Sequence, residues 1–427
     1  MIEIPSSRRE KIAWSMYDFA NSGYTTVVLT TIYNAWFVSV IAMNGGFTGG
    51  EATLLWTLTF AIGNAIILLT APLVGAIADI YRLRKTLLAA STLGCVIFTA
   101  LLSVPQAGDV NLAMLLLVVS YVMFATGENL IAAFLPELAS RGDIGRLSGY
   151  GWALGFVGGL FSLGLCLLYI NYAQSIGQPD EKTIPLTMLI VAAVFALAAI
   201  PTFYYLQERS HRAGVRGPVI KTAVNRLRNT LTHLHLYPDL RRFMVALTLF
   251  HAGIYIVVIL AAIYADQVMG FTTQQNIVLI SIVNITATLG AFIFGHLQDR
   301  LGSVRTLMLT LGLWCAAIII IWWHKEAGWF WLAANLIGLA MGASQSASRA
   351  LIGLFSPVER YGEFFGFWGL CVKLAAIIGP VTYGLFNWLN RGDHQQSLLI
   401  TLVFFIAGML VMLRIDEQRG IRAARQQ

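Results

Sequence analysis

The chain has 427 residues, of which 57% are hydrophobic and only 11% charged, and its formal net charge is +7. A soluble domain carries about 25% charged residues, so most of this surface must face something other than water. That excludes an ordinary soluble enzyme or binding module, and the placement of the basic residues excludes nucleic acid as the reason for the positive balance.

Apolar runs long enough to cross a hydrocarbon core of about 30 Å as helices recur along the whole sequence. In chain order they cover 12–42, 52–78, 86–104, 111–139, 147–170 and 184–206. After a polar stretch they resume at 243–265, 275–298, 306–323, 329–356, 361–389 and 396–413. These are numbered spans 1 to 12, and they predict an all-α membrane protein. Three parts follow: a six-helix bundle over 1–206, a linker over 207–240, and a second bundle with a short tail over 241–427.

Within the linker, Ile220, Val224, Leu227, Leu231 and Leu234 recur at alternating spacings of four and three, while Lys221, Arg226 and Arg228 occupy other faces. This pattern predicts an amphipathic helix, better suited to lie on a membrane leaflet than to bind a partner. His233 and His235 lack any accompanying carboxylate or cysteine cluster and read as solvated.

Of the 28 Lys and Arg residues, 23 fall on the side of the N-terminus; Lys182, Lys325 and Arg391 fall on the other side, and Arg349 and Lys373 lie within spans. By the positive-inside rule, both termini are expected in the cytoplasm. Compact loops and short termini favour a bacterial inner membrane. The first apolar stretch is too long for a cleavable signal peptide and carries Asp18. Cys95, Cys166, Cys315 and Cys371 lie in separate spans and read as small packing residues.

The two bundles repeat one another. Gly75, Asp79 and Lys85 recur as Gly295, Asp299 and Arg305, shifted by 220 residues, and the same shift pairs Gly142 with Gly362, Gly149 with Gly369, Gly159 with Gly379, and Gly164 with Gly384. Duplicated bundles enclosing a central site are a common transporter plan. Glycines in spans 5 and 11 allow close helix approach and predict surfaces that slide or rock.

The turn Gly75-x3-Asp79-x5-Lys85, with its degenerate copy at 295–305, resembles the loop between helices two and three of the major facilitator superfamily. Trp14-Ser-Met-Tyr17-Asp18-Phe-Ala-Asn21-Ser22 resembles the first-helix signature of its vacuole-effluxer branch, relatives of the fungal vacuolar amino-acid effluxer. Further blocks of that resemblance are Phe134-Leu-Pro136-Glu137-Leu, Ser148-Gly-Tyr-Gly-Trp-Ala-Leu-Gly155, Gly342-Ala-Ser-Gln345-Ser-Ala-Ser-Arg349 and Glu363-Phe-Phe-Gly-Phe, with Lys373 and Gly379-Pro380. The resemblance implies twelve helices in two pseudo-twofold six-helix bundles and secondary transport without ATP machinery. One departure stands in helix seven, where the branch reads Tyr-Asn-Asp-Gly and this chain has Phe250-His251-Ala252-Gly253.

In that fold spans 1, 4, 7 and 10 line the cavity, so Asp18, Asn21, Glu128, Asn129, His251 and Gln345 are expected to face one aqueous path. Ionisable groups inside spans each cost at least about 2.5–3.5 kcal/mol on insertion scales. Glu128 is therefore expected to carry a proton or to pair with Lys373 or Arg349, and Asp18 to bind substrate or gate the mouth. His251 is a candidate proton switch. Lys373 is a candidate for holding an anionic group or neutralising Glu128. Asp79, Lys85, Asp299 and Arg305, with Glu137, Arg141, Arg146, Arg349, Glu359 and Glu363, are expected to form a conformational latch.

No Gly-x4-Gly-Lys loop, nucleophile elbow or paired metal ligands are present, so no enzyme activity, cofactor or metal is expected. Expected partners are a small-molecule substrate, protons and the lipid bilayer, with the chain a monomer. Efflux of an amino acid or similar polar solute is the leading reading. An exporter of a lipid, siderophore or drug-like amphiphile, and a non-transporting receptor or assembly partner, are the alternatives.

Overall fold

The structure is a computed structural model that describes residues 6–140, 142–209, 219–267, 269–271, 273–324, 326–390 and 393–425. The described residues contain twelve helices long and apolar enough to span a membrane. Spans 1 to 6 are Arg8–Gly45, Glu51–Tyr81, Arg84–Leu101, Val110–Leu138, Ile144–Ser175 and Asp180–Tyr205. The linker helix runs Val219–His233. Spans 7 to 12 follow at Pro238–Val258, Val278–Leu301, Ser303–Trp323, Ala327–Phe355, Val358–Leu389 and His394–Met412. A tail helix, Glu417–Arg425, closes the chain.

Local chemistry sets several boundaries. Ser7 caps span 1 by accepting the Glu10 N–H at 3.1 Å. Thr48 and Glu51 form a reciprocal capping box at the start of span 2, which satisfies N–H groups that a helix start leaves orphaned. Span 2 ends where Arg82 turns left-handed at φ 56°. Span 1 is irregular, opening into wider π turns over Tyr24–Thr30 and Phe37–Ala42. Hydroxyls of Thr30 and Thr31 bond the Thr26 carbonyl there, at 2.9 and 2.6 Å.

The two halves meet along two seams, span 2 against span 11 and span 5 against span 8. Glycines bring the backbones together. A Cβ on Gly366 would meet the Ala71 carbonyl at 2.7 Å, and one on Gly149 would meet the Ala291 carbonyl at 2.5 Å. Ala71 and Ala291 keep the 220-residue shift, but Gly149 and Gly366 stand 217 apart. The expected pairings of Gly142 with Gly362 and Gly149 with Gly369 are therefore three residues out of register. Gly145 and Gly149 are the structural counterparts of Gly362 and Gly366. Gly164 and Gly384 face open space.

The linker helix departs from the leaflet-bound picture along one flank. Buried Ala223 and half-buried Leu227 pack on Ala76 and Ile80 of span 2, while Ile220 and Val224 stay exposed. The small Ala223 side chain permits the close approach. The side chains of Leu231, His233 and Leu234, and all of Arg141, lie outside the described residues.

Where a glycine carries backbone contact, alanine should be destabilising by about 1–3 kcal/mol. Gly158→Ala, against the Phe19 backbone, and Gly342→Ala, against the Ala287 backbone, are expected to lower the thermal unfolding midpoint in detergent. Gly164→Ala and Gly384→Ala are expected to hold or raise it, because alanine is the better helix former.

Candidate functional site

The first region of interest is the seam at the face that carries both termini. Asp79, at the end of span 2, accepts the N–H groups of Gly362 and Glu363 at 3.0 and 2.9 Å. These open span 11 and have no intrahelical acceptor. Asp299, at the end of span 8, accepts the N–H groups of Gly145 and Arg146 at 2.9 and 3.0 Å, which open span 5. Each carboxylate thus reaches into the opposite half at a helix N-terminus, where negative charge is favoured. With both made, this face is closed.

The residues around the two carboxylates differ. Arg84 is buried and donates to Asp79 at 2.7 Å, and it also pairs with Glu137. Glu137 accepts the Arg209 N–H at 3.2 Å, and the Arg209 guanidinium bonds both oxygens of Glu10 at 2.7 Å. Lys85 was expected to take part in the latch. Lys85 instead donates to the Leu206 carbonyl at 2.6 Å, within its own half. Arg305 is exposed and joins no latch contact among the described residues. Arg146 pairs with Asp143 in its own half. Glu363 pairs with Arg226 of the linker helix at 3.1 Å. Arg84, Glu10, Arg209 and Arg226 were missed; the one available signal was that Arg84 follows the motif acid Asp79 by five positions.

Deeper in, Asp18 of span 1 and Arg349 of span 10 form an ion pair across the halves at 2.7 Å. Arg349 also donates to the Ser148 hydroxyl at 3.2 Å and its carbonyl at 2.9 Å. Its guanidinium carbon lies 4.7 Å from the Trp14 ring centre and 5.4 Å from that of Trp152. Such stacking suits a weakly hydrated planar cation. Gly151 makes room, since a Cβ there would collide with both partners. Arg349 therefore pairs with Asp18 and not with Glu128.

Lys373 of span 11 does not pair with Glu128 either. Its ammonium donates to the Tyr121 hydroxyl at 3.1 Å, and that hydroxyl donates to Asn64 at 2.9 Å. Glu128 is half-buried and makes no ion pair among the described residues, although Lys373, Asp18 and Arg349 are all within electrostatic reach. Tyr255 of span 7 lies near both Lys373 and Glu128. A cation and an anion thus lie within electrostatic reach of one another without an ion pair among the described residues.

The remaining expected residues make no bond to this pair among the described residues. His251 bonds Gln345 at 3.1 Å, linking spans 7 and 10. Asn129 packs directly on Gly369 of span 11. Asn21 is buried, and its side-chain oxygen has no hydrogen-bond partner among the described residues. No cluster that could hold a metal occurs among the described residues.

The model of the family described as "Vacuole effluxer Atg22 like" matches residues 51–425. The chain belongs to that family. This family member is 22% identical to the uncharacterised MFS-type transporter YxiO of Bacillus subtilis over 427 residues, covering 98% of this chain and 97% of that protein. It is 22% identical to the lysosomal dipeptide transporter MFSD1 of Gallus gallus over 320 residues, 69% of this chain and 68% of that protein. The crystal structure of the human organic anion transporter MFSD10 superposes with a TM-score of 0.73 at 15% identity, covering 96% of this chain and all of that one. The fold is that of the major facilitator superfamily, and the protein is a membrane-embedded secondary transporter and not an enzyme.

Removing one partner of a buried pair leaves an uncompensated charge, at about 3–5 kcal/mol. Asp18→Asn and Arg349→Gln are each expected to lower the unfolding midpoint sharply, and the double variant to recover part of the loss. A double-mutant cycle by scanning fluorimetry measures the coupling.

Proposed function

We propose that this transporter exports a small zwitterionic solute, an amino acid or a short peptide, by proton-linked alternating access at the Glu128–Lys373 site. The carrying observation is that, among the described residues, neither Lys373, which meets the Tyr121 hydroxyl and ring, nor Glu128 has an ion-pair partner, although both are deep in the spans. Such charges are expensive in hydrocarbon and are retained where they act. A solute carboxylate on Lys373 and its ammonium on Glu128 would complete both at once. Charge-assisted hydrogen bonds of this kind are the strong ones. The dipeptide transport named for MFSD1 and the effluxer description of the family support the same substrate class and direction.

Glu128 has a second role in this reading. A carboxyl that binds the solute ammonium when ionised and takes up a proton when empty exchanges one for the other, which couples solute movement to a proton gradient. The excess of Lys and Arg on the terminal face supports a cytoplasmic location for it, in a bacterial inner membrane. The closed seam then corresponds to the conformer shut toward the cytoplasm.

Proteoliposomes provide the test. Lys373→Met is expected to weaken binding of the transported amino acid or dipeptide by about ten- to hundredfold, the worth of one charged hydrogen bond. Glu128→Gln is expected to abolish pH-gradient-driven accumulation. Counterflow of amino acids and dipeptides by the wild type must be detectable; its absence across both classes, with amphiphiles transported instead, would overturn the zwitterion reading.

A further inference from the structure

The linker helix touches both halves of the transporter at once. On one flank Ala223 and Leu227 pack on Ala76 and Ile80 of span 2, with Leu73, Ile77 and Tyr81 around them. On the adjoining flank Arg226 pairs with Glu363 at 3.1 Å and donates to the Glu359 carbonyl at 2.7 Å. Arg360 donates back to the Thr230 hydroxyl at 3.0 Å. Residues 223, 226, 227 and 230 share one helical face, so these contacts are made by one surface. Span 2 moves with the first half, and span 11 with the second.

The contacts are placed directly on the closed seam. Glu363 is the residue whose N–H reaches Asp79 at 2.9 Å, while its carboxylate reaches Arg226. The first turn of span 11 is therefore held by span 2 from one side and by the linker helix from another. If the seam parts, Ala76, Ile80 and Asp79 travel one way, and Glu363, Glu359 and Arg360 the other. A single rigid helix cannot keep both sets of contacts. The opposite seam has no such cover among the described residues. There Asp299 bonds the start of span 5, and the neighbouring Arg146 pairs with Asp143 of its own half.

We infer that the linker helix is a strap across the seam of spans 2 and 11, with Arg226 as its positioning residue, and that it must release one half before the terminal face can open. The inference rests on the alternating-access reading, but not on which solute is carried. It makes the linker part of the conformational equilibrium and not a passive tether. The strap stabilises the closed state by the contacts that only that state allows, which is the condition for shifting a population. Arg226 is the sensitive point because Glu363 is fully buried and Arg226 is its one ion-pair partner among the described residues.

Pulsed electron–electron double resonance on the whole 427-residue chain in nanodiscs tests this. Spin labels at exposed Arg9, in the first half, and exposed Val358, in the second, read the separation of the terminal face, with the four native cysteines replaced by alanine. Arg226→Ala is expected to raise the open-to-closed ratio by about tenfold, the worth of a charged hydrogen bond. Glu363→Gln keeps the backbone bond to Asp79 and is expected to act in the same direction. The double variant should add little, since both changes remove one interaction. Lys221→Gln, at an exposed position on the same helix, should leave the distribution unchanged. If Asp79→Asn widens the distribution while Arg226→Ala and Glu363→Gln, both shown folded by thermal unfolding, do not, the strap is refuted and alternating access stands. If none of the three widens it, the alternating-access reading fails and the strap with it.

Discussion

The closed face depends on one constraint of helical backbones: the first N–H groups of a helix have no acceptor within it. Spans 5 and 11 both begin at the seam between the halves, so their first N–H groups would be orphaned in a poorly hydrated place. Asp79 and Asp299 supply the acceptors from the opposite half. A Cβ on Gly75 or Gly362 would collide with the backbone or carboxylate facing it, and on Gly145 it would collide with Asp299. The motif glycines and aspartates therefore form one device. Water can replace each carboxylate when the seam opens, so the net worth of each charged bond is about 1.5–3 kcal/mol. That is enough to bias a conformer and too little to fix it.

Much of this was legible in the sequence. The twelve spans follow from hydropathy, and the shift of 220 residues located both aspartates because each is repeated with its glycine. The same reliance on repetition explains the misses. Lys85 and Arg305 drew attention as a matched pair, yet Arg84 does the work beside Asp79 and has Val304 as its counterpart. A search for repeats is blind to whatever differs between the copies. The register of spans 5 and 11 was three residues out because a fixed shift cannot absorb loops of unequal length. The linker helix was read from its apolar stripe alone, and small Ala223, which decides where it docks, carries no hydropathy signal.

The interior charges divide by the quality of their pairing. Asp18 and Arg349 are satisfied in several directions at once, by each other, by Ser148 and by two indole faces. Such a pair has nothing left to offer a ligand, and its place across the halves gives it the character of a fastener. Glu128 and Lys373 have the opposite character. They come from spans 4 and 11, lie within electrostatic reach, and stop short of an ion pair. The difference between a closed and an open valence, invisible in a list of intramembrane acids and bases, separates the fastener from the proposed site.

The two halves are also built unequally around the same latch. In the first, Glu10, Arg209, Glu137 and Arg84 form a continuous hydrogen-bonded chain, joined at Glu137 through the Arg209 backbone N–H, that ends on Asp79. In the second, the anchoring charge sits elsewhere: Asp239 holds Arg419 of the tail helix through two bonds of 2.6 Å, and Glu417 accepts the Val304 N–H at 2.9 Å. Asp79 is therefore a rigidly held acceptor, whereas Asp299 relies on the backbone bonds it makes across its seam. Opening at spans 5 and 8 breaks those bonds and the Tyr150–His296 hydrogen bond of 3.2 Å. Opening at spans 2 and 11 must also strip a helix start from a preset carboxylate and from the linker helix above it. Two otherwise equivalent seams are thus reinforced by different means, buried charge and the linker helix at one, and the Tyr150–His296 and Arg349–Ser148 contacts at the other.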